Sequence, residues 1–438
     1  MSRLKLFPCV MACLSFMLFC GLTLAHAAKD PYAKTRVFVP DTGNNRVLVF
    51  NDPTTSNQAA DAVLGQTDST SATSGTSATM VSGPTAFVVD EDGDLIVSDT
   101  GNCRLLVFRP PFTTGEAASA VLGKPDFNTP CGSLTPSATN LGGTGGVAID
   151  DSGNLWVADS ANNRVLHFKS PFKTGKAADI VLGQPDFVSN TCPATPSAGS
   201  LCYPVGVASD SDDILWVVDM GDNRVLGYKS PKKKMNANVE LGHPKGPAAF
   251  TSSTGNDGGI SASTFAMPTG IALDSKDHMW VVDTGNSRVL MFKPDFNTGN
   301  AATLVLGQND FVSASPNQSP YGVPPTGATL SYPQGIFTQK ATDVWVGDTS
   351  NNRTLQFASP YTSGMSASLV LGQPDFNSDS ANQGGSPSDQ SEDAPFNTVA
   401  SLYAGPSWLA LGVLISLIGG WLLIMGRRRR ARASIQSV

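Results

Sequence analysis

Apolar and polar positions alternate along this chain with a long period. Six segments align without gaps: VFVPDTGNNRVLVF ending at Phe50, LIVSDTGNCRLLVF at Phe108, LWVADSANNRVLHF at Phe168, LWVVDMGDNRVLGY at Tyr228, MWVVDTGNSRVLMF at Phe292 and VWVGDTSNNRTLQF at Phe357. Each begins with an apolar run, crosses a polar turn and ends on a second apolar run. The first runs, such as Leu155-Trp156-Val157, are apolar at successive positions, which predicts strands buried on both faces. In the second runs Leu48, Leu106, Leu166, Leu226, Leu290 and Leu355 share one position, with an aromatic two residues later. A period of two places both on one face of a strand.

Two more elements keep the same period. Five of the six segments are preceded by a strand-like stretch such as Gly145–Asn154 or Thr269–His278, ending in an Asp/Gly/Asn turn. Each is followed by a short apolar run: 63–66, 121–124, 181–184, 239–243, 305–308 and 370–373. Four short strands per period, repeated in sequence, predict an all-β, six-bladed β-propeller whose sheets pack face to face. Blade one has no recognisable first strand after Ala28, so either Lys29–Lys34 or the stretch after Phe376 must complete the ring.

The ends carry different signals. Arg3 and Lys5, the apolar stretch Leu6–Leu24 and Ala25-His26-Ala27 read as a secretory signal peptide over 1–27. Residues 28–376 then form the propeller, and 377–407, rich in Ser, Asp, Gln and Gly, read as a flexible tether. The apolar run 408–425 is long enough for a transmembrane helix, and the Arg-rich tail 426–438 places the C-terminus in the cytoplasm. The expected location is the cell membrane, single-pass, with the propeller outside the cytoplasm.

Removing the seven basic residues of the two end segments from 29 leaves 22 against 36 acidic ones, a net charge near −14. Such a surface repels phosphate backbones, so nucleic acid is not an expected partner. Four of the seven cysteines remain after signal removal, an even number in an oxidising compartment.

Together the segments resemble the NHL repeat, in the pattern P-x-GVA-x-D-x-x-GN-L-W-V-A-D-x-x-NNRV-x-x-F, over roughly Arg36–Phe376. The period departs from the family: the anchoring aspartates are spaced by 58, 60, 60, 64 and 65 residues, long for NHL repeats. The resemblance is to exported, membrane-anchored bacterial NHL-repeat proteins. It implies two functional classes. One is a non-catalytic binding or scaffold module; the other, the alternative, is a lactonase- or lyase-like enzyme with a divalent cation at the central channel.

The most repeated chemistry is an aspartate followed five residues later by an arginine: Asp41 and Arg46, Asp99 and Arg104, Asp159 and Arg164, Asp219 and Arg224, Asp283 and Arg288, Asp348 and Arg353. Asp and Asn close tight turns, Asn tolerates positive φ, and Arg can grip the aspartate with two parallel bonds. Because every copy keeps them, these pairs are expected to be structural. Asp90-Glu91-Asp92-Gly93-Asp94 resembles part of a calcium loop, yet the corresponding Asp150-Asp151-Ser152-Gly153 and Asp274-Ser275-Lys276-Asp277 favour a strand turn. His167, His243 and His278 lack metal-ligand spacing and are expected to be ordinary surface residues, so no catalytic residue and no bound cofactor are expected.

The cysteines lie where the copies differ. Cys192 and Cys202 share one inter-blade loop, while Cys103 replaces a turn Asn and Cys131 follows on the same face, which predicts the bridges Cys103–Cys131 and Cys192–Cys202. That face also carries long insertions between blades, such as Lys245–Ala266. Long loops held on a rigid ring are common recognition elements. The expected function is therefore recognition of a protein, peptide or glycan through the loop-rich face.

Overall fold

The computed structural model describes residues 36–393, apart from 133–134, 233–234, 247–248, 320–322 and 340–342. The expected signal peptide, membrane span, basic tail and last part of the tether lie outside the described residues. Among the described residues, no helix is long and apolar enough to cross a membrane.

Among the described residues, six antiparallel sheets follow one another along the chain, five of four strands and the first of three. In every blade the second and third strands pair so that the repeat aspartate lies opposite the repeat arginine, from Asp41 and Arg46 to Asp348 and Arg353. A single 3-10 turn joins them, and the residue that follows it is left-handed: Asn45, Cys103, Asn163, Asn223, Ser287 and Asn352 have φ of 48–53°. This is the positive φ that Asn accommodates most readily among side-chain-bearing residues. The outer strands are shorter than expected, Ala62–Leu64 in blade one and Leu369–Leu371 in blade six. The glycine of each LGQ-type motif ends them. At Gly65, for example, φ is +85° and an added Cβ would lie 2.5 Å from Val81, leaving no room for a side chain.

The core lies between the sheets. Val, Leu, Ile and aromatic residues from both faces of each blade are buried, as are Trp216, Trp280 and Trp345. Double-sided burial is why the second strands are apolar without alternation.

The six arginines are fully buried hubs. Each Nε donates to its aspartate at 2.6–2.9 Å. The expected two-bond grip does not form, because the remaining nitrogens are directed to backbone carbonyls, and in Arg224 also to Asp222 Oδ2 at 3.3 Å. Nη2 of Arg288 donates to Ser261 O at 2.8 Å and Thr264 O at 3.0 Å, on the connection entering its blade. Nη1 donates to Phe311 O at 2.5 Å, on the connection leaving it. One cation thus satisfies a carboxylate and ties two long loops. Burying it without these partners would cost several kcal/mol, on the order of 3–5.

Blade one receives the same ties from the far end of the chain. Arg46 Nη2 donates to Ser388 O at 2.7 Å and Ser391 O at 3.0 Å. Asp393 N donates to Asp41 Oδ1 at 2.8 Å, as Ser331 N does to Asp348 in blade six at 2.7 Å. Gly43 N bonds Asp393 O and Ala60 N bonds Asp389 O. The described part of the expected tether, Asn377–Asp393, therefore includes the ring closure. Its sequence SDQSEDAP, 388–395, follows SATMVSGP, 77–84, position for position. Ser388 stands where Ser77, Ser137, Ser197, Ser261 and Thr326 open the same connection in the other blades.

Candidate functional site

All connections from an outer strand to the next innermost strand emerge on the face that carries the Asp-to-Arg turns. On this face a pocket of about 410 Å³ opens at the propeller axis. Its walls are the starts of the innermost strands of blades two to six and the turns behind them, including Thr85, Thr100, Thr144, Met220, Thr269 and Thr284. Glycines let these strands converge: a Cβ on Gly146 would lie 2.8 Å from Gly206 Cα.

The threonine hydrogens in the wall are engaged in joining blades. Thr100 Oγ1 donates to Thr144 O at 2.6 Å, Thr284 Oγ1 to Pro333 O at 2.6 Å, and Thr269 Oγ1 lies 2.7 Å from Gln334 O. Thr85 Oγ1 stands 2.5 Å from Thr100 Oγ1. The lining therefore offers methyl groups and oxygen lone pairs, joined by the carboxamide of Gln334 and the hydroxyl of Ser160, which can donate. Met220 breaks the series, placing a thioether where Thr42, Thr100, Ser160, Thr284 and Thr349 carry hydroxyls.

The rim is unequal as well. The aligned residue at the entry to each innermost strand is Gly83, Gly143, Tyr203, Met267 or Tyr332 in blades two to six. Tyr203, Met267 and Tyr332 hold φ of 52°, 48° and 43°, a left-handed conformation costing bulky residues about 1–2 kcal/mol. The turn residue of the preceding blade fixes each: Tyr203 N donates to Asn163 Oδ1 at 2.8 Å, Met267 N to Asn223 Oδ1 at 2.7 Å and Tyr332 N to Ser287 Oγ at 3.3 Å. These three side chains stay 41–51% exposed, presenting apolar surface around one side of the mouth. Sequence reasoning did not single them out, although their departure from glycine is visible once the copies are aligned.

Among the described residues, no carboxylate or imidazole lines the pocket. Among the described residues, no group of three or more His, Cys, Asp or Glu side chains is placed to hold a metal ion. A hard divalent cation needs several oxygen ligands, usually including carboxylates, so the described lining does not fit the cation that the enzyme alternative requires.

Both expected disulfides form. Cys103 and Cys131 are bridged with Cα atoms 5.1 Å apart, and Cys192 and Cys202 with Cα atoms 4.8 Å apart. Cys103 occupies the left-handed turn position where Asn163 and Asn223 bridge to the next connection, so a covalent tie replaces a hydrogen-bonded one.

The histidines differ from expectation, because His167 and His243 are buried and His278 is half-buried. His167 Nδ1 faces Asp179 at 2.5 Å, and His278 Nδ1 faces Asp274 at 2.8 Å. His243 belongs to a cluster confined to blade four. Its Nδ1 lies 3.1 Å from Glu240, which also accepts Phe250 N at 2.5 Å and lies 3.6 Å from Arg224. Asp222 stands where other copies have Asn, Glu240 where they have Val, and His243 where they have Gln or Lys. Burial and the neighbouring carboxylates push Asp219 up to about 7 and raise Asp222.

Asp90 accepts Asp92 N at 3.0 Å and Asp94 N at 2.9 Å, while Asp150 and Asp274 do the same in their blades. The geometry is that of a strand turn shared by several copies.

Sequential four-stranded blades around an axial pocket define a six-bladed β-propeller. A sequence profile of the NHL repeat matches residues 82–108, 145–168 and 265–292. These segments fall in blades two, three and five, and the chain is an NHL-repeat β-propeller protein.

No curated protein matches it in sequence. Solved structures resemble it in fold alone. A catalytically inactive virginiamycin B lyase from Staphylococcus aureus with quinupristin shares 12% identity over 76% of this chain and 83% of its own, with a TM-score of 0.38. A streptogramin B lyase shares 12% identity over 76% and 87%, also at 0.38. A protein of unknown function from Bacteroides caccae shares 8% identity over 84% and 99%, at 0.45.

Proposed function

We propose that this protein is an extracytoplasmic, membrane-anchored binding or scaffold module that recognises a protein, peptide or glycan through the loop-rich face. The observation that carries this reading is the axial pocket, whose unrepeated residues Met220, Tyr203 and Met267 replace hydroxyls and a glycine with apolar groups. Strained, exposed apolar residues on a rigid ring are costly to keep. Such positions cluster at ligand sites. The symmetric Asp and Arg pairs are occupied with the scaffold, which leaves the unequal rim to distinguish ligands.

The test is crosslinking and affinity capture in the native envelope, comparing the full chain with a Tyr203→Gly/Met267→Gly variant. Glycine suits the left-handed backbone and stands at this position in blade two, so the ring should remain folded. A specific ligand captured by the wild type and lost by the variant is expected. Equal capture by both would refute the assignment to this face.

A further inference from the structure

The connections on the pocket face are predominantly acidic. In five of six copies the second residue after the LGQ-type motif is an aspartate: Asp68, Asp126, Asp186, Asp310 and Asp375. Blade four has Lys245 there, the one Lys or Arg exposed on these connections among the described residues. Every other exposed charge on them is a further aspartate. The exposed lysines and Arg109 otherwise lie on strand ends and turns of the opposite face, such as Lys169, Lys229 and Lys293.

The aspartates of the ring close their own turns. Asp126 accepts Asn128 N at 2.8 Å and Thr129 N at 2.9 Å, and Asp310 accepts Val312 N at 2.9 Å and Ser313 N at 2.8 Å. These bonds favour the ionised form, and Asp68 is lowered to about 2. The ring is therefore charged at any pH near neutrality.

Inside it lies a pocket whose described lining is uncharged and largely apolar. Exposed apolar residues continue beyond the mouth, with Val188 and Val312 at 66% and 65% exposure on the same connections. A ligand that covers these residues must be larger than the pocket. One that approaches across the ring must carry positive charge to gain from it.

Resting on the binding reading above, we infer that the loop-rich face docks a cationic protein segment, seating one aromatic or large aliphatic side chain in the axial pocket among Tyr203, Met220 and Met267. Lysine or arginine on either side of that anchor meets the aspartate ring. Acidic segments are repelled, and a neutral glycan gains nothing from the ring.

The test uses the full chain and a short synthetic peptide with lysines flanking one tryptophan, followed by fluorescence anisotropy. Its controls replace the lysines by glutamate, or the tryptophan by serine. Tight binding of the first peptide, weakening by about tenfold or more when salt rises from about 50 to about 500 mM, is expected from screening of the ring. Asp126→Asn/Asp310→Asn/Asp375→Asn keeps the turn acceptors while removing three charges, and should flatten the salt dependence. Tyr203→Gly/Met267→Gly should erase the advantage of tryptophan over serine without changing the salt response.

Equal binding of the glutamate peptide, a salt-independent affinity, or no preference for tryptophan would overturn the inference. If the pocket variant loses a native ligand with which the lysine peptide does not compete, the binding module stands and the cationic segment falls. If the variant retains every ligand, both fall.

Discussion

Glu392 occupies a position that is apolar in every other copy, where Val81, Leu141, Leu201, Phe265 and Leu330 stand. It is the fully buried residue of the closing segment, with Oε2 accepting Thr354 Oγ1 at 3.0 Å and Oε1 without a partner among the described residues. Thr354 is itself a departure, replacing the Val or Leu found at 47, 105, 165, 225 and 289. Desolvation, followed by the nearby Asp41, raises the carboxyl well above its usual range, so the folded state holds the proton. The perturbation is Glu392→Leu with Thr354→Val, which restores the pair used elsewhere. The space exists: Gly372 approaches Glu392 as Gly307 approaches Leu330, each within 2.5 Å of an imagined Cβ.

Leaving one carboxyl oxygen unsatisfied costs about 1–3 kcal/mol, so the double variant should be more stable by about 2 kcal/mol at pH 4. A raised folded-state pKa means that this group's contribution is fully present below its unfolded value, about 4.3, and is lost as pH rises toward the folded value. The advantage of the variant should therefore widen by about 1.4 kcal/mol per pH unit across that window. Thr354→Val alone should destabilise by about 1–2 kcal/mol by removing the remaining donor. Urea unfolding of both proteins at pH 4, 5, 6 and 7 measures the difference, with amide exchange over 380–393 reporting on the closure itself. Parallel stability curves, or a variant less stable at every pH, would refute the account of Glu392 as a neutral group buried at the seam.

Two further outcomes follow from the unequal blades. Restoring blade four to the pattern of its neighbours with Asp222→Asn/Glu240→Val/His243→Gln removes the carboxylates crowding Asp219, whose raised value near 7 makes the wild type lose stability as pH rises toward neutrality. The variant should gain on the wild type between pH 5 and pH 8, by about 1 kcal/mol per unit at most, and denaturation at the two pH values checks this. Cys103→Asn with Cys131→Ser exchanges the disulfide for the hydrogen bond used in blades three and four, whereas Cys103→Ser with Cys131→Ser supplies neither. The first should recover about 1 kcal/mol relative to the second, read as a shift in urea midpoint; identical midpoints would contradict the equivalence of the two ties.

The repeat made most of the fold legible. Continuous apolar strands, an aspartate and arginine in register, and a left-handed turn residue, Asn in four copies, are local requirements that recur because each blade solves the same packing problem. The cysteine pairs were legible for a related reason, since neighbouring turns on one face are fixed by blade geometry. Three matters were decided only by tertiary structure. The arginines forgo a second bond to aspartate because buried loop carbonyls, distant in sequence, need donors more. Residues 388–393 close the ring although their composition suggests a tether, since their partners are Arg46 and Asp41 at the other end of the chain. The pocket exists only where innermost strands of separate blades converge, so Met220, Tyr203 and Met267, scattered in sequence, acquire a common surface only in the folded ring.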